Sequence, residues 1–131
     1  ETYRGMKITE DELSQYRLRK YIVNKTFLST TKERSIANEF AFDGGLRHNH
    51  DGEIIKVPTI CIYTIIGHDR IALDIERISE YAHEKEVLII PGQTFKVTAI
   101  RTNVQTAQGL CYEIELVEHR RENKTGQYQH E

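Results

Sequence analysis

Three short polar clusters in this 131-residue chain sit where strand-like runs begin or end, and each holds a residue type with chemistry beyond packing. The first is Arg4, inside the strand-like Thr2-Tyr3-Arg4-Gly5. Its guanidinium stays charged and calls for an anion, and Gly5 beside it lets a ligand approach the main chain closely. The second is Phe27-Leu28-Ser29-Thr30-Thr31, three consecutive hydroxyls where a strand passes into a helix. The third is Glu84-Lys85-Glu86, running into Val87-Leu88-Ile89-Ile90. Carboxylates at i and i+2 of an extended segment project to the same side. Taken singly, these are half of an ion pair, a helix cap and a solvated strand entrance. A guanidinium, a hydroxyl and a carboxylate gathered in one cleft would be a site.

Other polar clusters carry less. His48-Asn49-His50-Asp51 suggests a metal, but zinc takes three or four ligands and no second matching pair lies nearby in sequence. No metal is expected, and the cluster reads as the rim of a loop. Arg120-Arg121 reads as a solvated face. Cys61 and Cys111 lie in apolar, strand-like runs where a cysteine packs as a small hydrophobe. They pair only if their strands are neighbours, and two cysteines set no disulfide framework and no compartment. Asn24-Lys25-Thr26 and Asn123-Lys124-Thr125 are glycosylation sequons, relevant in a secretory pathway.

The elements that must position these residues follow from pattern. Thr2–Ile8 reads as a strand, and Thr9 with Glu12 as a capping box opening a helix with Leu13, Tyr16 and Lys20/Tyr21 on one face. Ile22–Ser29 reads as one strand. Thr30 and Glu33 form a second capping-box pattern, before a helix with the buried stripe Ile36, Ala37, Phe40 and Ala41. Asp43–Glu53 reads as a mobile loop. Strands are expected at Val57–Ile66, Arg70–Asp74, Val87–Ile90, Thr94–Arg101 and Leu110–Val117. Turns at Gly67-His68-Asp69, Pro91-Gly92-Gln93 and Gln108-Gly109 separate them, and Ile78–Glu86 forms a polar connection. Helices first and strands after imply an α+β fold with a largely antiparallel sheet system. Residues 1–121 form one domain, and 122–131 read as a frayed, disordered tail.

Composition narrows the partners. A formal charge of -2 argues against nucleic acid. No apolar run approaches the roughly 18 residues of a membrane helix, and the longest, Val57–Gly67, is broken by Pro58, Thr59 and Thr64.

In their order, these motifs resemble the arginine-type mono-ADP-ribosyltransferases, the R-S-E class. That family orders its motifs as aromatic-Arg-Gly, Phe-x-Ser-Thr-Ser/Thr and Glu-x-Glu. Here they stand as Tyr3-Arg4-Gly5, Phe27-Leu28-Ser29-Thr30-Thr31 and Glu84-Lys85-Glu86. Ala37 and Phe40 match the family's Ala-x-x-Phe, and Ser79, Pro91 and Thr94–Val97 agree around the acidic pair. The resemblance runs from Tyr3 to about Glu118. Thr31 stands where many relatives have serine. Many relatives also carry a helical segment ahead of the first motif as one wall of the cleft. Three residues precede Arg4 here, so the chain is expected to be a piece of a longer protein lacking that wall.

The resemblance implies an ADP-ribosyltransferase-like α+β fold of two packed, mostly antiparallel sheets with a few flanking helices. It implies NAD as substrate, no metal, and transfer of ADP-ribose to an arginine of a protein with release of nicotinamide. Glu86 would be the catalytic carboxylate, held by Ser29, and Glu84 the residue facing the acceptor arginine. Arg4, Gly5, Ser29, Thr30, Phe40 and Glu86 would bind the dinucleotide, with Arg4 on a phosphate, the Gly5 main chain on the nicotinamide amide, and Phe40 (Phe42 second) beside the ring. An NAD glycohydrolase using the same site, and an inactive binding module that kept the fold, are the alternatives.

Overall fold

Thr9 ends the first strand and starts the first helix. The computed structural model describes residues 1–43, 47–48, 54–66, 72–74, 85–122 and 128–130. β1 (Thr2–Ile8) stops where the Thr9 hydroxyl accepts the Glu12 N–H and the Glu12 carboxylate accepts the Thr9 N–H, both at 3.1 Å. This is the reciprocal cap the sequence predicts. The helix it opens, α1 (Glu10–Leu13), lasts a single turn and falls short of the Leu13/Tyr16/Lys20 spacing. Sheet pairing claims the chain instead. Arg19 takes φ 69°, its N–H bonds the Val97 carbonyl at 2.7 Å, and the chain joins a ladder. Tertiary hydrogen bonds outweigh a helix propensity worth tenths of a kcal/mol per residue.

The strand expected over Ile22–Ser29 is two strands, β2 (Tyr21–Val23) and β3 (Leu28–Thr31), with Asn24 as the joint. Asn24 is 7% exposed, and its side-chain amide donates to the Thr26 carbonyl (3.0 Å) and the Ile90 carbonyl (2.8 Å). Its side-chain oxygen accepts the Gln93 N–H at 2.8 Å. The first sequon asparagine is thus committed to the fold, because losing a buried, fully bonded amide leaves its partners unsatisfied.

α2 (Arg34–Phe42) forms without the second capping box. Thr30 is still in β3, and its hydroxyl donates to the Val87 carbonyl at 2.6 Å. Glu33 is the N-cap but its side chain makes no capping bond, and its N–H goes to the Thr31 hydroxyl at 3.1 Å. Ala37 and Ala41 are fully buried, as the stripe predicts, whereas Phe40 is 54% exposed.

The remaining elements are β4 (Arg47–His48), β5 (Ile54–Thr64), β6 (Ala72–Asp74), β7 (Glu86–Ile89), β8 (Thr94–Thr106), β9 (Gly109–Glu118), β10 (Arg120–Glu122) and β11 (Tyr128–His130). Within the span expected as a loop, Arg47–His48 pairs with β5. Residues 44–46 and 49–53 of that loop, the Gly67-His68-Asp69 turn, and the connection through Ser79 and Glu84 lie outside the described residues. The turns at Gly92 (φ 85°) and Gly109 (φ 135°) stand where the sequence puts them. Arg120–Glu122 and Tyr128–His130 pair antiparallel. Such a ladder is built from main-chain groups and needs no apolar pattern.

Strands follow the path β2-β8-β9-β5-β1-β3-β7-β6, with β4 beside β5. β1 pairs with β5 over seven residues but meets β3 at one pair, Tyr3 opposite Thr31. The path is therefore two sheets joined at a point, as the α+β reading with two packed sheets expects. Among the described residues, pairing is antiparallel except between β5 and β9. The inner faces pack Val87 and Ile89 of β7 against Cys61, Tyr63 and Phe95, with Tyr63 and Phe95 edge to face at 5.0 Å. Alternation along β5 sends Ile60 and Ile62 to the other face, where Ala37, Ala41 and Cys111 cover them. Cys61 and Cys111 lie on neighbouring strands but in different cores, and both are free. Burial pushes the Cys61 thiol up to about 12, which removes it as a nucleophile.

One buried carboxylate ties this outer core together. Glu113 (6% exposed) accepts from Arg34 at the start of α2 and from Arg101 at 2.9 Å, and Arg101 also reaches Glu115 at 2.5 Å. Burial pushes the Glu113 carboxyl up, but hydrogen bonds and charge from Arg34 and Arg101 outweigh it and hold the group below 4.5. A folded value below the unfolded one gives stability that is present above the ordinary carboxylate range and lost as pH falls through the folded value. Urea midpoints are therefore expected to hold steady down to about pH 5 and to fall below it. Glu113→Gln is expected to flatten that fall and to cost about 2 kcal/mol at neutral pH, a figure reduced because both arginines are partly solvated. An unchanged acid limb in the variant would remove Glu113 from this role.

Candidate active site

The cleft opens where β3 leaves β1. Beyond the single Tyr3–Thr31 pair the two strands part, and an open cavity of about 160 Å³ lies between them. β1 contributes Tyr3, Arg4 and Gly5, and β3 contributes Ser29, Thr30 and Thr31. α2 forms one wall with Ile36, Ala37 and Phe40, and Glu86 stands at the head of β7. Six residues named from the sequence, Arg4, Gly5, Ser29, Thr30, Phe40 and Glu86, line this one space. Glu84 lies outside the described residues.

Register explains how residues so far apart in sequence meet. Thr31 pairs with Glu86 and Ser29 with Leu88, so Ser29, Thr31 and Glu86 share one face. On that face the Ser29 hydroxyl donates to Glu86 Oε2 at 2.6 Å. Arg4 completes the chain from the neighbouring strand, its Nη1 donating to the Ser29 carbonyl at 3.1 Å. One of five guanidinium N–H donors is used there, and among the described residues no carboxylate pairs with Arg4. Beside it, burial pushes the Tyr16 hydroxyl up to about 12 and Tyr63 well above 10, with the Arg4 charge opposing in part. Both phenols are neutral near pH 7, so the Arg4 charge stays free for an anion.

Three residues do more, or other, than their types suggest. Thr30 lines the cleft, but its hydroxyl is turned to the Val87 carbonyl and the residue is 3% exposed. Gly5 lines the cleft as well, yet a Cβ built on it would lie 1.9 Å from the Ala37 carbonyl oxygen. Its missing side chain makes room for α2. Lys85 takes φ 49°, in the left-handed region, so the segment entering Glu86 is not extended and the i, i+2 argument for Glu84 and Glu86 loses its premise. Lys85 is tethered instead, its ammonium 2.5 Å from Glu33 and its carbonyl accepting the Lys32 N–H at 3.0 Å. Sequence reasoning missed Glu33 and placed Ile36 in the core. Neither carries a local signal, since each role depends on a partner more than fifty positions away or on the tilt of α2.

No family model matches the chain. A protein of Mycobacterium avium (strain 104) named "Putative NAD(+)--arginine ADP-ribosyltransferase Mav" is 28% identical over 115 residues, 88% of this chain and 12% of that protein. Among solved structures, the Vis toxin of Vibrio splendidus, an ADP-ribosyltransferase, matches with TM-score 0.62 at 19% identity over 98% of this chain and 56% of that one. Vis in complex with agmatine matches with the same score over 99% of this chain and 58% of that one. Exoenzyme S of Pseudomonas aeruginosa, bound to carba-NAD and human 14-3-3 protein beta, matches with TM-score 0.57 at 22% identity over 89% of this chain and 46% of that one. The chain spans about an eighth of the curated relative and about half of these solved chains.

Proposed function

From the premise that the chain has the ADP-ribosyltransferase fold, we propose that it is the catalytic core of a mono-ADP-ribosyltransferase that moves ADP-ribose from NAD to an arginine side chain of a protein. The observation that carries this is the Arg4–Ser29–Glu86 chain of contacts at 3.1 and 2.6 Å, lining one cleft. The name of the mycobacterial relative and the agmatine bound to Vis favour a guanidinium as acceptor.

Cleavage of the nicotinamide–ribose bond resembles glycoside cleavage, with positive charge building on the ribose. Nicotinamide leaves neutral from a cationic pyridinium, so no strong acid is needed. A fixed carboxylate near the ribose lowers the barrier by opposing that charge, and Glu86 is the carboxylate in the cleft. Ser29 holds it in one orientation through its hydroxyl. Arg4, with donors to spare, binds the diphosphate by charge-assisted bonds. The Gly5 main chain receives the nicotinamide amide, and exposed Phe40 covers the ring. No metal has a role in this scheme.

The acceptor step falls to Glu84. Guanidinium is a poor nucleophile, and a carboxylate both pairs with it and assists loss of its proton. Glu84→Gln is expected to lower agmatine modification by about 100-fold while NAD hydrolysis persists. Mass spectrometry of agmatine alongside nicotinamide release separates the two; equal loss of both sinks the division of labour. Nicotinamide release with no modified acceptor of any kind in the unaltered chain favours the glycohydrolase instead.

A further inference from the structure

Charge is unevenly placed along the chain. From Leu13 to Lys32 it holds five of the 18 Lys and Arg and none of the 20 Asp and Glu. In a chain of net charge -2, this makes one cation-rich stretch against an acidic remainder. Arg17, Arg19, Lys20 and Lys25 are all exposed, and among the described residues no carboxylate pairs with any of them. Leu18, Tyr21, Val23 and Phe27, four of the seven large hydrophobics exposed among the described residues, lie in the same stretch at 50% exposure or more.

The stretch is held by the sheet. Arg19 N–H bonds the Val97 carbonyl, and Val97 N–H bonds the Lys20 carbonyl at 2.9 Å. Tyr21 pairs with Lys96, which adds a further cation beside it, and its ring meets His119 at 4.6 Å. Ile22 packs against the inner core, so alternation turns Tyr21 and Val23 outward. β2 ends the strand path among the described residues, which leaves it as an edge. Phe27 then lies two residues before Ser29, which lines the cleft.

We infer that this surface docks the target protein, through an acidic segment interspersed with apolar residues that lies along the β2 edge and leads its arginine toward Glu86. The inference rests on the arginine-transfer reading above. Charge complementarity selects the acidic partner, and a free strand edge beside alternating side chains suits an extended segment. A lipid surface fits less well, because the apolar side chains are divided between two loops and a three-residue strand instead of forming one long amphipathic face.

Two fluorescent peptides of about a dozen residues, each with one arginine, make the test: one acidic with leucines, the other with serine in place of the acids. Anisotropy is expected to show about tenfold tighter binding of the acidic peptide at low salt, with the preference shrinking as salt rises. Lys20→Glu/Lys25→Glu is expected to lose that preference while modifying agmatine at the unaltered rate. No preference in the parent chain, or the same preference in the variant, overturns the inference. Adhesion to phosphatidylserine vesicles without a peptide preference overturns it in favour of lipid. Anisotropy needs no turnover, so a chain that prefers the acidic peptide but modifies nothing sinks the transfer reading and leaves the docking surface standing. A chain that modifies agmatine without any peptide preference does the reverse.

Discussion

Glu86→Gln is expected to lower NAD cleavage, measured as nicotinamide release, by about 100- to 1,000-fold, and transfer with it. The substitution keeps size and hydrogen-bonding capacity, so the Ser29 hydroxyl, now 2.6 Å from Glu86 Oε2, still finds an acceptor in the amide oxygen. What disappears is the negative charge. Glu86 is half-buried at the head of β7, paired in the ladder through its main chain opposite Thr31, and that pairing does not depend on the side chain. Urea midpoints of parent and variant should therefore agree within about 0.5 kcal/mol, as for a substitution outside the core. A loss of about 3–4 kcal/mol of transition-state stabilisation with the fold intact identifies electrostatic assistance to the ribose cation. Full activity in a folded Glu86→Gln protein ends the enzymatic reading. Activity lost together with the fold assigns Glu86 a structural task instead.

The features legible in the sequence were those whose partners are close in the chain or repeat with a period. The Thr9–Glu12 cap joins residues three apart, the turns announce themselves at Gly92 and Gly109, and the paired sheets follow from alternating apolar runs. The early end of α1 and the break between β2 and β3 were not legible, because their causes lie far off: Val97 for Arg19, Ile90 and Gln93 for Asn24. The site shows both sides of this. Arg4, Ser29 and Glu86 were recognisable through the order of their motifs, although 25 and 57 positions separate Ser29 from its two partners. Composition alone would not have joined them. Local conformation near the site was less accessible. Nothing in Glu84-Lys85-Glu86 signals a left-handed lysine, and nothing in the α2 stripe signals that Phe40 points away from the core that Ala37 and Ala41 enter.

Gly5→Ala is expected to be the most damaging single-atom addition for the fold. The new methyl would lie 1.9 Å from the Ala37 carbonyl oxygen, 2.8 Å from the Ala37 carbonyl carbon and 2.9 Å from the Ala41 nitrogen. All three are main-chain atoms of α2, so no side-chain rotation relieves the contact. Either the helix moves away by about 1 Å or β1 shifts, and β1 is held over seven residues by β5. Overpacking against yielding side chains costs about 1–3 kcal/mol, and rigid backbone on both sides puts this case at or beyond the upper end. That is a large part of the ~5–15 kcal/mol that holds a domain of this size. Because Ile36, Ala37 and Phe40 wall the cleft, a displacement of about 1 Å in α2 also costs about 100-fold in turnover of any protein that remains folded. Urea unfolding in the absence of NAD separates this role from one confined to ligand approach. If the glycine serves the dinucleotide alone, the ligand-free midpoint is unchanged and turnover alone suffers. If it seats α2, the ligand-free midpoint falls first.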